Sequence, residues 1–273
     1  SIPLLFIMQD AEDAGYFYHA LVQLIGEECV LFFPSSYRRA VKYAQRDAAS
    51  EILRTEVLSR LSALHSPLFI VTYPDAVAEL VISKKQLDER MLTLAQGDTI
   101  DVDATVKVLR ELGFHEVDYV YEPGQFALRG SILDIYSYSS ELPFRIDFFG
   151  DDIDSIRTFE VDSQLSKEKC KRVEIVPELG AVEEDKVSFL SFLPKDALLV
   201  MRDYLYVRDA VDRIFQEGFS LQAMTERMEG ATEMEQQDIV KAMSKELQLV
   251  SGAQFGSEAM TFRRIEIGHR PSG

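Results

Sequence analysis

The feature that most constrains this chain is a long stretch in which apolar and polar residues alternate with a period of two, from Val117 to about Val161. Turn-forming residues interrupt it at Pro123-Gly124, at Gly130, at Ser139-Ser140 and at Gly150-Asp151. A period of two places successive side chains on opposite faces of a β-strand, and the interruptions divide the stretch into several strands joined by short turns. The pattern therefore predicts an antiparallel β-meander.

The segments before and after this stretch follow a different pattern, in which short apolar runs alternate with amphipathic helices. The apolar runs are Leu4 to Met8, Cys29 to Phe33, Pro67 to Thr72, Ala197 to Met201 and Phe262 to Ile267. The helical stripes include Ala14, Phe17, Leu21 and Leu24, and also Leu53, Val57, Leu61 and Leu64 after a possible cap at Asp47. Such runs are typical of parallel strands buried on both faces, so we predict a doubly wound α/β layer.

These patterns divide the 273 residues into three segments. We predict that residues 1–82 form the first half of an α/β body, that residues 83–177 form an inserted α+β domain containing the meander, and that residues 178–273 form the second half of the body. Either half alone would leave apolar faces uncovered, so we expect the last segment to pack on the sheet of the first. In the last segment, Ile239, Met243 and Leu247 predict a helix that ends at Gly252.

Charge and composition exclude several functional classes. Lys and Arg number 29 against 46 Asp and Glu, and the net charge of −17 repels polyanions and anionic membranes. No run approaches the roughly 18 apolar residues that span a bilayer, and the first residues lack the basic segment of a signal peptide, so we expect a cytoplasmic protein with no membrane partner. Cys29 and Cys170 are far apart and the four histidines lack metal-ligand spacing, so we predict neither a metal nor a cofactor.

The usual nucleotide-binding turn is missing from the first α/β unit. Such turns are rich in glycine and present backbone N–H groups to phosphate at the start of a helix. The residues after the first apolar run, Gln9 to Gly15, are acidic and match neither GxGxxG nor GxxxxGK[ST]. We therefore predict that this chain neither binds nor hydrolyses ATP.

The meander carries an unusual set of residues on the face that should be exposed to water. Alternation places Phe144, Ile146 and Phe148 on the core face and Arg145, Asp147 and Phe149 on the opposite face.

The preceding strand turns Arg129 to the same polar side, before Gly130, which would permit a β-bulge. Two arginines and an aromatic side chain on the polar side of adjacent strands resemble a binding hot spot. A surface pair between Arg145 and Asp147, with Phe149 tucked under a loop, remains the alternative.

The same strands carry a family resemblance. Residues 122–135 read EPGQFALRGSILDI and residues 143–159 read PFRIDFFGDDIDSIRTF. Both are similar to the signature of the UvrB-like module, which the excision-repair protein UvrB shares with the bacterial transcription-repair coupling factors (Mfd). Because this chain has neither the P-loop nor the damage-probing hairpin of UvrB, it resembles the amino-terminal module of the coupling factors. The resemblance covers most of the chain and is weak over residues 219–251.

The resemblance implies a fold, a partner and a set of site residues. In this family the body is a P-loop-NTPase-like, helicase-type layer that lacks its ATP site. The inserted domain binds UvrA, which is thereby recruited to stalled transcription sites in transcription-coupled nucleotide excision repair. The family's contact residues correspond to Arg129, Arg145 and Phe149, and Arg157 in the next strand is a further candidate. The full-length proteins are implied to be ATP-dependent DNA translocases that bind RNA polymerase and DNA through other domains.

Two other functions remain as alternatives. A nucleotide hydrolase needs a phosphate cradle and an acid that holds Mg²⁺, and the acids at Asp151, Asp152 and Asp154 have no cradle beside them. A DNA-binding domain needs a basic surface, whereas residues 123–165 hold three basic and eight acidic residues. If the interface hypothesis is right, truncating Arg129, Arg145 or Phe149 should weaken UvrA binding by about 2 kcal/mol and cost little stability.

Overall fold

The computed structural model describes residues 2–36, 48–64, 66–180, 182, 185–217, 230, 232–235 and 248–268. Asp47 and the helix predicted around Ile239 and Met243 lie outside the described residues. The chain forms two compact units, the first from residues 1–57, 64–83 and 184–273 and the second from residues 58–63 and 84–183. Within the described residues, no helix combines the length and the apolar character needed to cross a membrane.

The first unit contains a parallel sheet of five strands. They are β1 (Leu4–Ile7), β2 (Val30–Phe32), β3 (Phe69–Thr72), β14 (Leu198–Met201) and β15 (Arg263–Glu266), with the spatial order β15-β14-β1-β3-β2. The central strand β1 pairs with β3 on one side and with β14 on the other. Strands from the two ends of the chain therefore share one sheet, and residues such as Leu5, Ile70 and Leu199 are buried in it.

The first unit also contains helices. They are α1 (Ala11–Ile25), α2 (Ala48–Ser62), whose last residues belong to the second unit, α3 (Pro74–Ala78), α6 (Phe189–Phe192), α7 (Tyr204–Glu217) and α8 (Gly252–Ala259). A short antiparallel pair joins β4 (Val81–Ile82) to β13 (Lys186–Val187). Gly252 was predicted to end a helix, but it begins α8, because the Ser251 side chain caps that helix. The Asp212 side chain packs where a Cβ of residue 252 would lie.

The second unit contains a sheet of six strands. They are β6 (His115–Glu116), β7 (Gln125–Arg129), β8 (Ile132–Ile135), β9 (Phe144–Phe149), β10 (Asp152–Phe159) and β11 (Ser166–Cys170), in the reverse spatial order β11 to β6. All neighbours are antiparallel except β6 and β7. The unit also contains α4 (Lys84–Arg90), α5 (Val102–Glu111) and an antiparallel pair of β5 (Leu92–Ala95) and β12 (Arg172–Ile175).

One face of the meander forms the core of the second unit. Phe126, Leu133 and Ile146 from β7, β8 and β9 are fully buried in one cluster with Leu109 of α5. Helix α5 begins at Asp101, whose side chain accepts hydrogen bonds from the first backbone N–H groups, and it ends before Gly113 at φ +93°. The predicted mixed α/β class with an antiparallel meander is thus confirmed.

Two details of the predicted meander were wrong. Gly130 forms no bulge: Arg129 pairs directly with Ile132, so Gly130, at φ +58°, and Ser131 form a two-residue hairpin turn. The strands that carry Arg129 and Arg145 are not adjacent either, because β8 lies between them. The sequence pattern indicates which face a residue occupies, but the order of the strands depends on their pairing.

Candidate functional site

Asp134 lies at the centre of the outer face of the six-stranded sheet, the face opposite the core. It is opposite Ala127 of β7 and Arg145 of β9, and Arg145 is in turn opposite Arg157 of β10. Directly opposed residues of neighbouring strands have Cβ atoms only about 5 Å apart, so this register brings acidic and basic side chains together.

The Asp134 carboxylate binds two arginines at once. Its Oδ1 accepts a hydrogen bond from Nε of Arg145 at 2.9 Å, and its Oδ2 accepts one from Nη2 of Arg145 at 2.9 Å and one from Nη2 of Arg129 at 2.8 Å. The Asp134 side chain is only 1% exposed. A buried carboxylate is stable only when charged partners and hydrogen bonds compensate its lost hydration, and here two guanidinium groups do so.

Arg145 contacts Asp134, Gln164 and Phe159 within the second unit. Besides Asp134, it donates to the backbone and side-chain oxygens of Gln164 at 3.1 and 3.0 Å, and its guanidinium carbon lies 4.2 Å from the centre of the Phe159 ring. The hydrogen bond to Asp134 is the largest cause of a raised Arg145 pKa. The Arg145 side chain is 13% exposed, so this predicted contact residue is more buried than its polar position in the sequence indicated.

Arg129 is the more accessible of the two arginines bound to Asp134. Its side chain is 36% exposed, and its Nη1 donates to the backbone oxygen of Asp118 at 2.8 Å. Its guanidinium carbon lies 4.9 Å from the centre of the Tyr119 ring, within the range of a cation–π contact. These contacts use two of the five N–H donors of the guanidinium, and an approaching acidic group could use others.

Arg157 makes the third ion pair of this face, with Asp147 at 2.5 Å between Nη2 and Oδ2. Ser155 also donates to Asp147 at 3.2 Å. The alternative of a surface pair between Arg145 and Asp147 is therefore wrong, because Asp147 pairs with Arg157 and Arg145 pairs with Asp134. Arg145 lies directly across from Asp134, whereas Asp147 is its neighbour along the same strand, where same-face side chains stand about 7 Å apart.

Phe149 ends β9 and projects into solvent with 81% of its surface exposed. It pairs with Asp152 across a two-residue turn in which Gly150 has φ +60°. The backbone N–H of the preceding Phe148 donates to the oxygen of Ser131, which follows Arg129 and Gly130 in the neighbouring turn. The alternative in which a loop covers Phe149 is therefore wrong for the residues that the structure describes, because the chain turns back directly into β10.

We call Arg129, Arg145, Phe149 and Arg157 the outer patch. The structure places all four on one face of the meander. Phe149 is exposed, and the three arginines are all ion-paired, with Arg129 and Arg157 partly exposed and Arg145 more buried. Two carboxylates, Asp134 and Asp147, thus pair with the three arginines of this face.

Sequence reasoning did not identify Asp134, Tyr119 or Gln164 as parts of this arrangement. Alternation alone puts Asp134 on the outer face, between the core residues Leu133 and Ile135, and an acidic residue there is a signal that could have been used. Tyr119 and Gln164 lie in irregular segments, where no pattern in the sequence predicts their contacts.

Two other kinds of chemical site are a metal-ligand cluster and a reactive thiol. Within the residues that the structure describes, no three His, Cys, Asp or Glu side chains are grouped so that they could hold a metal ion. Cys29 and Cys170 are both free thiols, and burial raises the pKa of the Cys170 thiol, which makes it less reactive.

Comparison with known proteins finds a family match over the second unit. Residues 92–179 match the family model of the UvrB interaction domain, and this range contains the whole outer patch. The chain is 35% identical over 124 residues to the transcription-repair-coupling factor of Escherichia coli K12, a match that covers 45% of this chain and 11% of that protein. It is 31% identical over 176 residues to the transcription-repair-coupling factor of Bacillus subtilis 168, covering 64% of this chain and 15% of that protein.

The protein of the same name from Haemophilus influenzae is 33% identical over 136 residues, which cover 48% of this chain. The matches span between 11% and 15% of the length of these three relatives. Together, the matches show that residues 92–179 of this chain resemble the UvrB interaction domain and that the chain is similar to part of the transcription-repair coupling factors.

Proposed function

We propose that this chain is a protein-interaction module that binds UvrA through the outer patch and so recruits it to stalled transcription sites in transcription-coupled nucleotide excision repair. The observation that carries the proposal is the exposed Phe149 beside arginines that are already ordered by the buried Asp134. The match of residues 92–179 to the UvrB interaction domain supports the same surface.

The energetics of interfaces favour such an arrangement. Aromatic and arginine side chains supply most of the binding energy at protein interfaces, and they supply more when little conformational entropy is lost on binding. Phe149 offers a rigid apolar surface, and Arg129 is fixed by Asp134, Asp118 and Tyr119 before any partner arrives. The exposed Phe149 ring and the unused N–H donors of Arg129 suit a partner surface that combines an apolar pocket with a carboxylate.

A direct binding measurement tests the proposal. The affinity of the purified chain for UvrA is measured by calorimetry for the wild type, Phe149→Ala and Arg129→Ala. Each variant should lose about 2 kcal/mol, or roughly thirtyfold in affinity, because central aromatic and arginine residues typically lose this much on truncation.

Matched controls separate this surface from any other. Tyr16 in α1 is 73% exposed, and Arg208 in α7 has a side chain that is 42% exposed, so Tyr16→Ala and Arg208→Ala remove similar groups from the first unit. Both controls should bind UvrA as the wild type does. Wild-type affinity of Phe149→Ala, or equal losses in the controls, would show that the outer patch is not the UvrA site.

For the first unit we propose a P-loop-NTPase-like, helicase-type layer that lacks its ATP site, made of the segments before and after the inserted domain. The parallel sheet with β1 at its centre supports this. At the start of α1, Asp10 Oδ1 accepts the N–H of Asp13 at 2.8 Å, and Asp13 accepts the N–H of Gln9 at 3.2 Å and pairs with Arg202 at 3.3 Å. Carboxylates thus occupy two backbone N–H groups of the turn in which a phosphate would bind.

We therefore propose no nucleotide hydrolysis by this module, because carboxylates occupy the turn at the start of α1. We propose no DNA binding either, because the net charge of −17 repels a polyanion. We propose that ATP-driven translocation, RNA polymerase binding and DNA binding belong to other domains of the full-length protein, which acts in the cytoplasm. The relatives, which are much longer than this chain, support that division.

A further inference from the structure

We propose that Asp134 is a positioning residue for partner binding, which holds the guanidinium of Arg129 in the orientation that a partner meets. The inference rests on the proposed function, because it concerns the same outer patch. Asp134 itself is 1% exposed and so offers a partner almost no surface. Any effect of this side chain on affinity must therefore be transmitted through the residues that it holds.

The two arginines depend on Asp134 to different degrees. Arg145 keeps two hydrogen bonds to Gln164 and its contact with Phe159 if the carboxylate is lost. Arg129 keeps only the Asp118 oxygen and the face of Tyr119, both of which lie in the irregular segment before β7. Among the contacts that the structure describes, the Asp134 carboxylate is thus the only one between the Arg129 guanidinium and another strand of the sheet.

Electrostatics adds to this dependence. Asp134 Oδ2 accepts from both Arg129 and Arg145, so a single oxygen keeps two like-charged groups together. Without the negative charge the two guanidinium groups repel, and the more exposed one can reduce the repulsion by moving into solvent. Arg129 would then sample many rotamers, and a partner would have to order it again at a cost in affinity.

A double-mutant cycle tests this mechanism in the full chain. Asp134→Asn keeps the shape of the side chain but removes its charge and one acceptor oxygen. We expect Asp134→Asn to weaken UvrA binding at least tenfold. Adding Arg129→Ala to it should cost less than a further threefold, because the contribution of Arg129 is already lost. Adding Phe149→Ala should still cost its full thirtyfold.

A purely structural role for Asp134 predicts a different result. The folded fraction of Asp134→Asn would then still present Arg129 normally, and the losses from Asp134→Asn and Arg129→Ala would multiply. Such multiplication overturns the inference. The matched control is Asp147→Asn, which removes the partner of Arg157 on the same face and should leave the effect of Arg129→Ala unchanged.

The outcomes also separate this inference from the proposed function. If the wild-type chain fails to bind UvrA, the proposed function fails, and this inference fails with it. If the wild type binds and the effects of Asp134→Asn and Arg129→Ala multiply, only the role of Asp134 is refuted. If circular dichroism shows that Asp134→Asn does not fold, Asp134→Glu replaces it in the cycle, because it keeps the charge and displaces the carboxylate by one methylene group. Its loss of affinity should again be non-additive with that of Arg129→Ala. If the two losses multiply instead, the role of Asp134 is refuted.

Discussion

Replacing Arg145 with Ala should destabilise the second unit substantially, although sequence analysis placed Arg145 on a tolerant surface. The substitution removes four hydrogen bonds, two to Asp134 and two to Gln164, and leaves Asp134 with Arg129 as its one remaining charged partner. Removing one partner from a buried ion pair typically costs about 3 to 5 kcal/mol. Because Arg129 still compensates part of the charge, we expect about 2 to 4 kcal/mol.

Native-state hydrogen exchange measures this loss without assuming that the two units unfold together. The backbone amides of β8 and β9 report the opening free energy of the meander itself. A loss of about 2 to 4 kcal/mol accelerates their exchange roughly thirtyfold to a thousandfold. Phe149→Ala is the comparison, since a side chain that is 81% exposed contributes little to folding and should change these rates by less than about threefold.

If Arg145→Ala exchanges as slowly as Phe149→Ala, then the ion pair with Asp134 does not stabilise the fold and Arg145 is an ordinary surface residue. The consequence for binding studies is direct: a loss of UvrA affinity in Arg145→Ala has to be corrected for the unfolded fraction, whereas a loss in Phe149→Ala does not.

Three further predictions concern the rest of the molecule. The chain should show no binding of Mg-ATP in calorimetric titration, because the carboxylates of Asp10 and Asp13 occupy the start of α1; micromolar binding at one site would contradict this. Phe126→Ala should lower the unfolding free energy of the second unit by about 3 to 5 kcal/mol in urea denaturation, because its ring is fully buried; a loss below about 1 kcal/mol would contradict the described core. Burial raises the pKa of Tyr73 to about 12 from an ordinary value of 10.0. Because the folded-state pKa lies above the unfolded value, the neutral phenol stabilises the folded state, fully so below about pH 10. This stability is lost as the pH rises towards 12, by up to about 3 kcal/mol at about 1.4 kcal/mol per pKa unit. Tyr73→Phe should therefore flatten the decline of stability between pH 10 and 12, and an unchanged slope would show that other groups cause it.

The sequence alone was sufficient to predict the class of fold and the faces of the meander strands. A period of two determines the face of each residue whatever the partner strand, so Phe144, Ile146 and Phe148 were assigned to the core correctly. The same logic found Phe149 on the outer face, and there its exposure is a local consequence of the two-residue turn at Gly150.

Strand order and register were decided only by the tertiary structure. Arg145 could pair with Asp147 or with Asp134 as far as sequence separation is concerned, and the choice depends on β8 lying between β7 and β9. That placement is a non-local property, because it results from how all the strands bury their apolar faces together. The sequence therefore determined which residues of the meander lie on its outer face, and the pairing of the strands decided which of them are exposed and which are held by Asp134.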